Sequence, residues 1–258
     1  MQNDTSIIRI SVIVPCFNEE EGIAQLSTKL NTAFHRLREK QAYKIELVFV
    51  DDGSSDSTAA LLGEFFDGKE IPAKIIRHAT NQGIGAAQRT AFQAVTGDYV
   101  VTMDSDCTYD PIEIPNMFSL IESGADVVVA SPYHPEGRVW NVPRYRLFLS
   151  QNLSRIYNWV LEANLYTYTS LFRVYRREVI EKVSFSADGF LSTAEILVNA
   201  ISAGFKIQEY PVQLCLRRYG ISKIKIAQVI LEHIKFIGRL LLERTNILKR
   251  SYCYGTEN

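Results

Sequence analysis

The segment IELVFVDDGSSDSTAALLGEFF, residues 45–66, passes from an apolar strand into a helix through a turn made of acids, serines and a glycine. Residues 45–50 are largely apolar without alternation, the pattern of a strand covered on both faces. Asp51-Asp52-Gly53-Ser54-Ser55-Asp56 then supplies a turn and a helix N-cap, and the helix that follows carries Leu61, Leu62, Phe65 and Phe66. The same alternation extends outward from this unit. Upstream, residues 8–14 read as a buried strand and 19–37 as a helix with Ile23, Leu26, Leu30, Phe34 and Leu37 on one face. Downstream, strands are expected at 74–78, 99–103 and 126–131, with helices at 86–95, opened by Gly83 and Gly85, and at 112–121. Strands alternating with helices predict an α/β fold: a Rossmann-like, mostly parallel sheet flanked by helices.

After Ser131 the rhythm gives way to SPYHPEGRVWNVPRY, residues 131–145, which reads as loop. A helix at about 146–161, a strand at 171–175, a helix at 192–203, a strand at 206–215 and a basic amphipathic helix to about residue 244 complete the pattern. No linker, repeat or low-complexity tract interrupts it, so one continuous domain with an appended helix is expected.

With 258 residues, 47% hydrophobic and 22% charged, the chain has the composition of an ordinary globular protein, and its net charge of −1 gives no footing for a nucleic-acid partner. Cys16, Cys107, Cys215 and Cys253 form no CxxC pair, which argues against a zinc knuckle or a disulfide framework and for a reducing compartment. The polar residues 1–6 and the lack of a long uncharged apolar run lead to the expectation of a cytoplasmic protein with neither leader nor membrane span.

Ligands of open parallel sheets bind beyond the carboxyl ends of the strands. Those ends here hold Pro15-Cys16-Phe17-Asn18-Glu19, Asp51-Asp52 and Asp104-Ser105-Asp106. If the backbone stays extended through Asp106, the carboxylates of Asp104 and Asp106 point the same way, and such a pair repels itself unless a cation lies between. An oxygen-only pair suits Mg2+ or Mn2+, with phosphates completing the coordination. The plainer reading is a solvated turn in which Asp104 or Asp110 caps the helix opened by Pro111.

Five stretches in order, VIVPCFNEEEGI, VDDGSSDST, NQGIGAAQRTAF, GDYVVTMDSD and RRYGISK, resemble the family 2 glycosyltransferases of the GT-A fold. Within that family the likeness is closest to the dolichyl- or polyprenyl-phosphate sugar synthases, mannose synthases among them, and it covers roughly residues 8–240. The resemblance implies a metal-dependent, inverting transfer of a hexose, mannose or glucose, from a GDP- or UDP-linked sugar to a polyprenyl or dolichyl phosphate. It places Pro15, Phe17, Asn18 and Glu19 along the base and ribose, and Asp51 and Asp52 near the base, Asp52 in direct contact. It makes Asp106 the direct metal ligand, gives Asp104 the metal or the ribose, and puts Ser105 between them in the nucleotide-sugar site. Arg217 and Lys223 match an Arg-x-x-Gly-x-Ser-Lys element that lies over the diphosphate in relatives, with Gly220 permitting the turn and Arg218 a rival to Arg217. The plainer readings are a strand end and cap for Pro15 and Asn18, an Asx turn for Asp51, and a solvated basic loop for Arg217 and Lys223.

Two departures are visible. Ser131-Pro132-Tyr133 stands where close mannose synthases carry Ser-Arg-Tyr, leaving Arg138, Arg144 or Arg146 to replace a phosphate-binding arginine, and Thr108 stands where relatives often carry an amide. A phosphate acceptor needs no general base; a sugar hydroxyl would need one, and Glu195 in GFLSTAEIL is the candidate, against a plainer reading as an exposed helical glutamate. A non-catalytic sugar-nucleotide-binding module would keep the same binding residues. A dinucleotide oxidoreductase is disfavoured because GIGAAQ lacks the third glycine, and a nucleotidyltransferase because no glycine- and lysine-rich loop follows the first strand.

Residues 1–220 are expected to form the transferase unit and 221–258 a basic amphipathic helix and tail. In that helix Ile226, Ile230, Ile234, Ile237 and Leu241 share one face and Lys225, Gln228, Glu232, Lys235 and Arg239 the other. Such a helix either packs on the domain or lies on an anionic cytoplasmic membrane face.

Overall fold

A computed structural model describes residues 7–40, 43–215 and 226–254, with the side chains of the last helix described to residue 244. In chain order the elements are β1 (Arg9–Cys16), α1 (Ile23–Lys40), β2 (Lys44–Asp51), α2 (Thr58–Phe66), β3 (Ala73–Arg77), α3 (Ile84–Ala94) and β4 (Tyr99–Thr102). A 3-10 turn (Pro111–Glu113) leads into α4 (Ile114–Glu122), followed by β5 (Val127–Ser131), β6 (Arg138–Trp140), α5 (Arg144–Leu161), β7 (Arg173–Arg176) and α6 (Arg177–Lys182). The chain then forms α7 (Leu191–Ser202), β8 (Ile207–Pro211), β9 (Gln213–Cys215) and α8 (Ile226–Tyr254).

Seven strands form one sheet in the order β3-β2-β1-β4-β7-β5-β8. All neighbours are parallel except β7, which runs antiparallel to both β4 and β5. The expected mostly parallel sheet flanked by helices is what forms. Because side chains alternate along a strand, each central strand feeds two cores. Val12, Val14, Leu47, Phe49 and Val101 face Leu26, Leu30 and Phe34 of α1 and Phe118 of α4. Ile13, Val48, Val50 and Val100 face Ala87 and Ala91 of α3 and Leu197 of α7. Burial on both sides is why these strands read as unbroken apolar runs.

The later half departs from the expected segments. The strand expected at 206–215 divides: β8 pairs with β5, whereas β9 leaves the main sheet and pairs with β6, which lies inside the segment expected to be loop. Three-residue strands carry too few residues to show a period. The last helix runs on to Tyr254 rather than ending near residue 244. Its packed face also differs from the expected one: His233 and Phe236 are buried, while Ile230 and Ile234 are exposed. Enough apolar residues surround this helix that sequence alone does not choose the buried side. No helix among the described residues is long and apolar enough to cross a membrane.

Polar contacts fasten α8 to the body. The Tyr157 hydroxyl of α5 lies 2.7 Å from Nδ1 of His233, and Arg244 donates to the Val160 carbonyl at 2.9 Å. Arg239 stacks over Phe236 and pairs with Glu195 of α7 at 3.4 Å. Burial of His233 lowers its pKa from 6.5 to about 4, because an imidazolium there would lose its hydration. A proton therefore binds the unfolded chain more readily than the folded one. Stability is whole above pH 6.5 and falls as pH drops towards 4, by at most about 3 kcal/mol for this one group. The melting temperature of His233→Gln is expected to fall less over that interval than that of the parent; parallel thermal scans from pH 7 to pH 4 check this.

Candidate active site

In the parallel register Cys16 of β1 lies beside Asp51 of β2, and Ile13 beside Thr102 of β4. The Met103 amide, just beyond β4, still donates to the Ile13 carbonyl at 3.1 Å. The carboxyl ends of β1, β2 and β4 are thus brought to one edge. The sheet grows from β1 through β2 to β3 on one side and through β4 on the other, so β1 and β4 flank the switch point where open α/β sheets bind ligands.

Backbone amides take up much of the acidity on the β2 side. Asp51 is fully buried; its Oδ1 accepts from the Ser54 amide at 3.1 Å, and its Oδ2 is ion-paired with Arg77 Nε at 3.1 Å without hydrogen-bond alignment. This is the expected turn. Asp52, 3% exposed, accepts from the Gln82 amide at 3.0 Å and the Gly83 amide at 2.8 Å, and its Oδ1 lies 2.6 Å from Nδ1 of His78. His78 Nε2 in turn lies 2.9 Å from the Thr90 hydroxyl. Both Asp52 oxygens hold the loop that opens α3. Gly53 lets that loop come close: its φ is +74°, and a Cβ there would lie 2.4 Å from the Thr80 carbonyl carbon.

The β1 end is tied to the same turn. Asn18, with φ +51°, donates its amide to the Ser54 hydroxyl at 2.9 Å and accepts from the Ser55 amide at 2.8 Å. The Glu19 amide donates to Thr58 Oγ1 at 2.7 Å, and Glu20 accepts from the Ser57 amide at 2.9 Å. Pro15 is buried within β1, one residue short of its end; Phe17, Asn18 and Glu19 are half-buried beyond it.

The backbone does not stay extended after β4. It turns at Ser105-Asp106, and Cys107 adopts φ +52°, so the period-two argument for aligning Asp104 with Asp106 fails. Both acids nevertheless act on the same two neighbours. Burial pushes the Cys107 thiol up to about 12, with Lys29 opposing and Asp106, Asp110 and Asp104 adding to the rise. Burial also raises Tyr109, which feels Asp104 and Asp106 as well. Asp106 Oδ1 accepts from the Thr108 amide at 2.9 Å, and Ser105 is buried within hydrogen-bond reach of the Cys16 thiol. Asp110 caps the 3-10 turn through the Ile112 amide at 3.1 Å, as the plainer reading expected. Its other oxygen takes Lys29 of α1 at 2.8 Å. Lys29 and His78 gave no signal in the sequence, since each meets its carboxylate only through the fold.

Arg217, Arg218 and Lys223 lie outside the described residues. The chain leading to them is tethered at the site: the Cys215 amide donates to the Thr108 carbonyl at 3.1 Å, and Leu214 bridges Tyr109. Glu195, expected as an exposed glutamate or a base, is neither exposed nor idle. It is 3% exposed, and it accepts from the Ser186 amide and hydroxyl at 3.1 Å each and from the Ala187 amide at 2.8 Å. It therefore anchors the 186–188 loop against α3, whose Gly85 amide donates to the Asp188 carbonyl at 2.7 Å.

Asp104 and Asp106 offer oxygen donors only, and no cluster of three or more His, Cys, Asp or Glu able to enclose an ion occurs among the described residues. That donor set fits Mg2+ or Mn2+ held by one or two carboxylates, with the remaining positions taken by a ligand's phosphates.

The family model described as glycosyl transferase family 2 matches residues 11–184. A dolichol-phosphate mannosyltransferase of Pyrococcus furiosus is 31% identical over 91% of this chain, which spans 64% of that relative's length. A polyprenol monophosphomannose synthase of Mycolicibacterium smegmatis is 30% identical over 84% of the chain and 81% of its own length. Among solved structures, glucosyl-3-phosphoglycerate synthase from Mycobacterium tuberculosis with Mn2+, UDP and glucosyl-3-phosphoglycerate superposes with a TM-score of 0.65 at 20% identity, over 92% of this chain and 80% of that one. TarS from S. aureus with UDP-GlcNAc gives 0.62 at 20% identity, over 91% and 67%.

Asp52→Ala strands two partly buried amides and a histidine nitrogen, each costly to leave unpaired. A loss of about 3 kcal/mol is expected, read as a lower urea midpoint, with Asp106→Ala close to the parent.

Proposed function

Because this chain belongs to glycosyl transferase family 2, we propose that it moves a hexose, mannose or glucose, from a GDP- or UDP-linked sugar to a polyprenyl or dolichyl phosphate with inversion at the anomeric carbon. The observation that carries this reading is the placing of Ser105, between Asp104 and Asp106, against Cys16 at the end of β1, beside the switch point between β1 and β4. The two relatives named for polyprenyl-phosphate mannose synthesis support the choice of acceptor. Residues 1–220 would form the transferase unit and 221–258 its appended helix.

On this reading Phe17, Asn18 and Glu19 and the Asp51-Asp52 turn shape the nucleoside side, Asp52 acting through the 81–83 loop it holds. Asp106 and Asp104 would hold Mg2+ or Mn2+, which, when bound, supplies positive charge to the departing diphosphate. Arg217 and Lys223 would cover the same diphosphate. Arg217 is two residues beyond Cys215, which is fixed to the loop of Asp106. A guanidinium grips phosphate oxygens in pairs, and an ammonium adds a point charge. A phosphate monoester titrates near a pKa of about 6 and arrives ionised, so the chain needs no base, in keeping with a Glu195 whose oxygens are already engaged.

The test is a donor screen that measures nucleoside diphosphate release with and without polyprenyl phosphate. Release that depends on both acceptor and divalent cation is expected, and Asp106→Ala should lower it by about 100-fold or more. Normal turnover by that variant would remove the metal assignment. Release that ignores the lipid would remove the acceptor.

A further inference from the structure

Among the described residues, Ile7 and Trp140 apart, the most exposed large apolar side chains lie on α5 and α8. Trp159 is 70% and Phe148 67% exposed, and Tyr145, Leu149 and Ile156 are exposed with them. All five fall on one stripe of α5, three, four or seven residues apart, and Ser154 and Tyr157 are buried on its other side. A soluble helix is expected to present polar residues on that side. The sequence of α5, RYRLFLSQNLSRIYNWVL, contains no acid and three arginines. Arg155 borders the stripe and none of the three has a carboxylate within ion-pair distance among the described residues. Trp140 before the helix and Tyr166 after it are exposed as well. On the neighbouring α8, Leu231, Ile234 and Leu242 are exposed, interleaved with Lys235 and Arg239.

We propose that the outer face of α5, continued by that of α8, is the surface on which this protein docks to an anionic lipid bilayer. Trp, Tyr and Phe are the side chains that settle at the level of lipid headgroups, where a ring meets the acyl boundary and its polar tip meets water. Arginines beside them meet lipid phosphates, and the absence of acids from α5 spares that helix the repulsion that an anionic surface would otherwise exert. A protein partner would take up the aromatic stripe equally well; the acid-free, arginine-bordered helix is what selects a negatively charged sheet of headgroups. The helix also reaches the candidate site. Ser150, on α5, lies within hydrogen-bond reach of the Tyr133 hydroxyl, and Tyr133 is in the electrostatic field of Tyr109 beside Asp104 and Asp106. Docking through α5 would bring the acid edge towards headgroup phosphates. That consequence rests on the lipid-phosphate reading of the site, whereas the docking itself does not.

The experiment is flotation of the full chain with vesicles of phosphatidylcholine alone or mixed with phosphatidylglycerol, all free of polyprenyl phosphate. The parent is expected to float with the mixed vesicles and to be released by salt. Phe148→Glu and Trp159→Glu should each reduce the bound fraction about tenfold with unchanged melting temperature, and Arg155→Glu should remove the preference for phosphatidylglycerol. The milder Phe148→Ser and Trp159→Ser repeat the test should a glutamate disturb folding. A parent that stays in the soluble fraction, or variants that float as it does, would overturn the proposal. So would light scattering that shows a dimer split by Phe148→Glu without vesicle binding, since the face would then belong to a second copy. Transfer to a short, water-soluble polyprenyl phosphate is measured alongside. If transfer proceeds and flotation fails, the docking face is wrong and the function stands; flotation without any such transfer keeps the docking face and removes the acceptor.

Discussion

The level alignment of three parallel strand ends is the constraint from which the candidate site follows. With Cys16 opposite Asp51 and Ile13 opposite Thr102, the loops after β1, β2 and β4 have no choice but to meet at one edge. Hydrogen-bonded strand spacing of about 4.8 Å then sets their separation. A one-residue slip would turn every apolar side chain of a central strand into the opposite core. Packing on both faces forbids that slip, so the position of the acids is guaranteed by the core rather than by the loops.

An edge that collects Glu19, Asp51, Asp52, Asp104, Asp106 and Asp110 needs its charges neutralised. The fold divides the task. Asp51 and Asp52 bind backbone amides and the cations or donors of Arg77 and His78, which turns their charge into loop geometry. Asp110 takes Lys29. Hydrogen bonds to a carboxylate are each worth about 1.5–3 kcal/mol, enough to hold loops in place against thermal disorder. Asp104 and Asp106 sit at the end of this arrangement, half-buried beside a thiol and a tyrosine whose burial keeps both protonated.

Much of the fold was legible because period and punctuation are local. The run 45–66 shows strand, turn and helix in its own residues, and the same holds for every element through β5. Legibility failed where pairing was non-local or elements were short. Nothing in Arg138-Val139-Trp140 announces a partner at Gln213, and α8 offers several apolar faces from which only α5 and α7 select His233 and Phe236. In the site, the period-two argument for aligning Asp104 with Asp106 failed, since a turn rather than an extended strand joins them. Asp52 was placed correctly at the edge, but its two amide partners thirty residues away could not be read from a turn motif.

The sequence by itself determined the α/β class, the order of strands and helices in the first half, and the family likeness carried by motifs at the strand ends, because each of these is written within a few residues. Tertiary structure alone decided that β7 enters antiparallel between β4 and β5, that Asp52 and Glu195 serve as anchors for loops, and which side of α5 is left uncovered. Those outcomes depend on which distant backbone donors and apolar surfaces come within a few ångströms, and burial assigns a partner to a side chain only after the chain has closed around it.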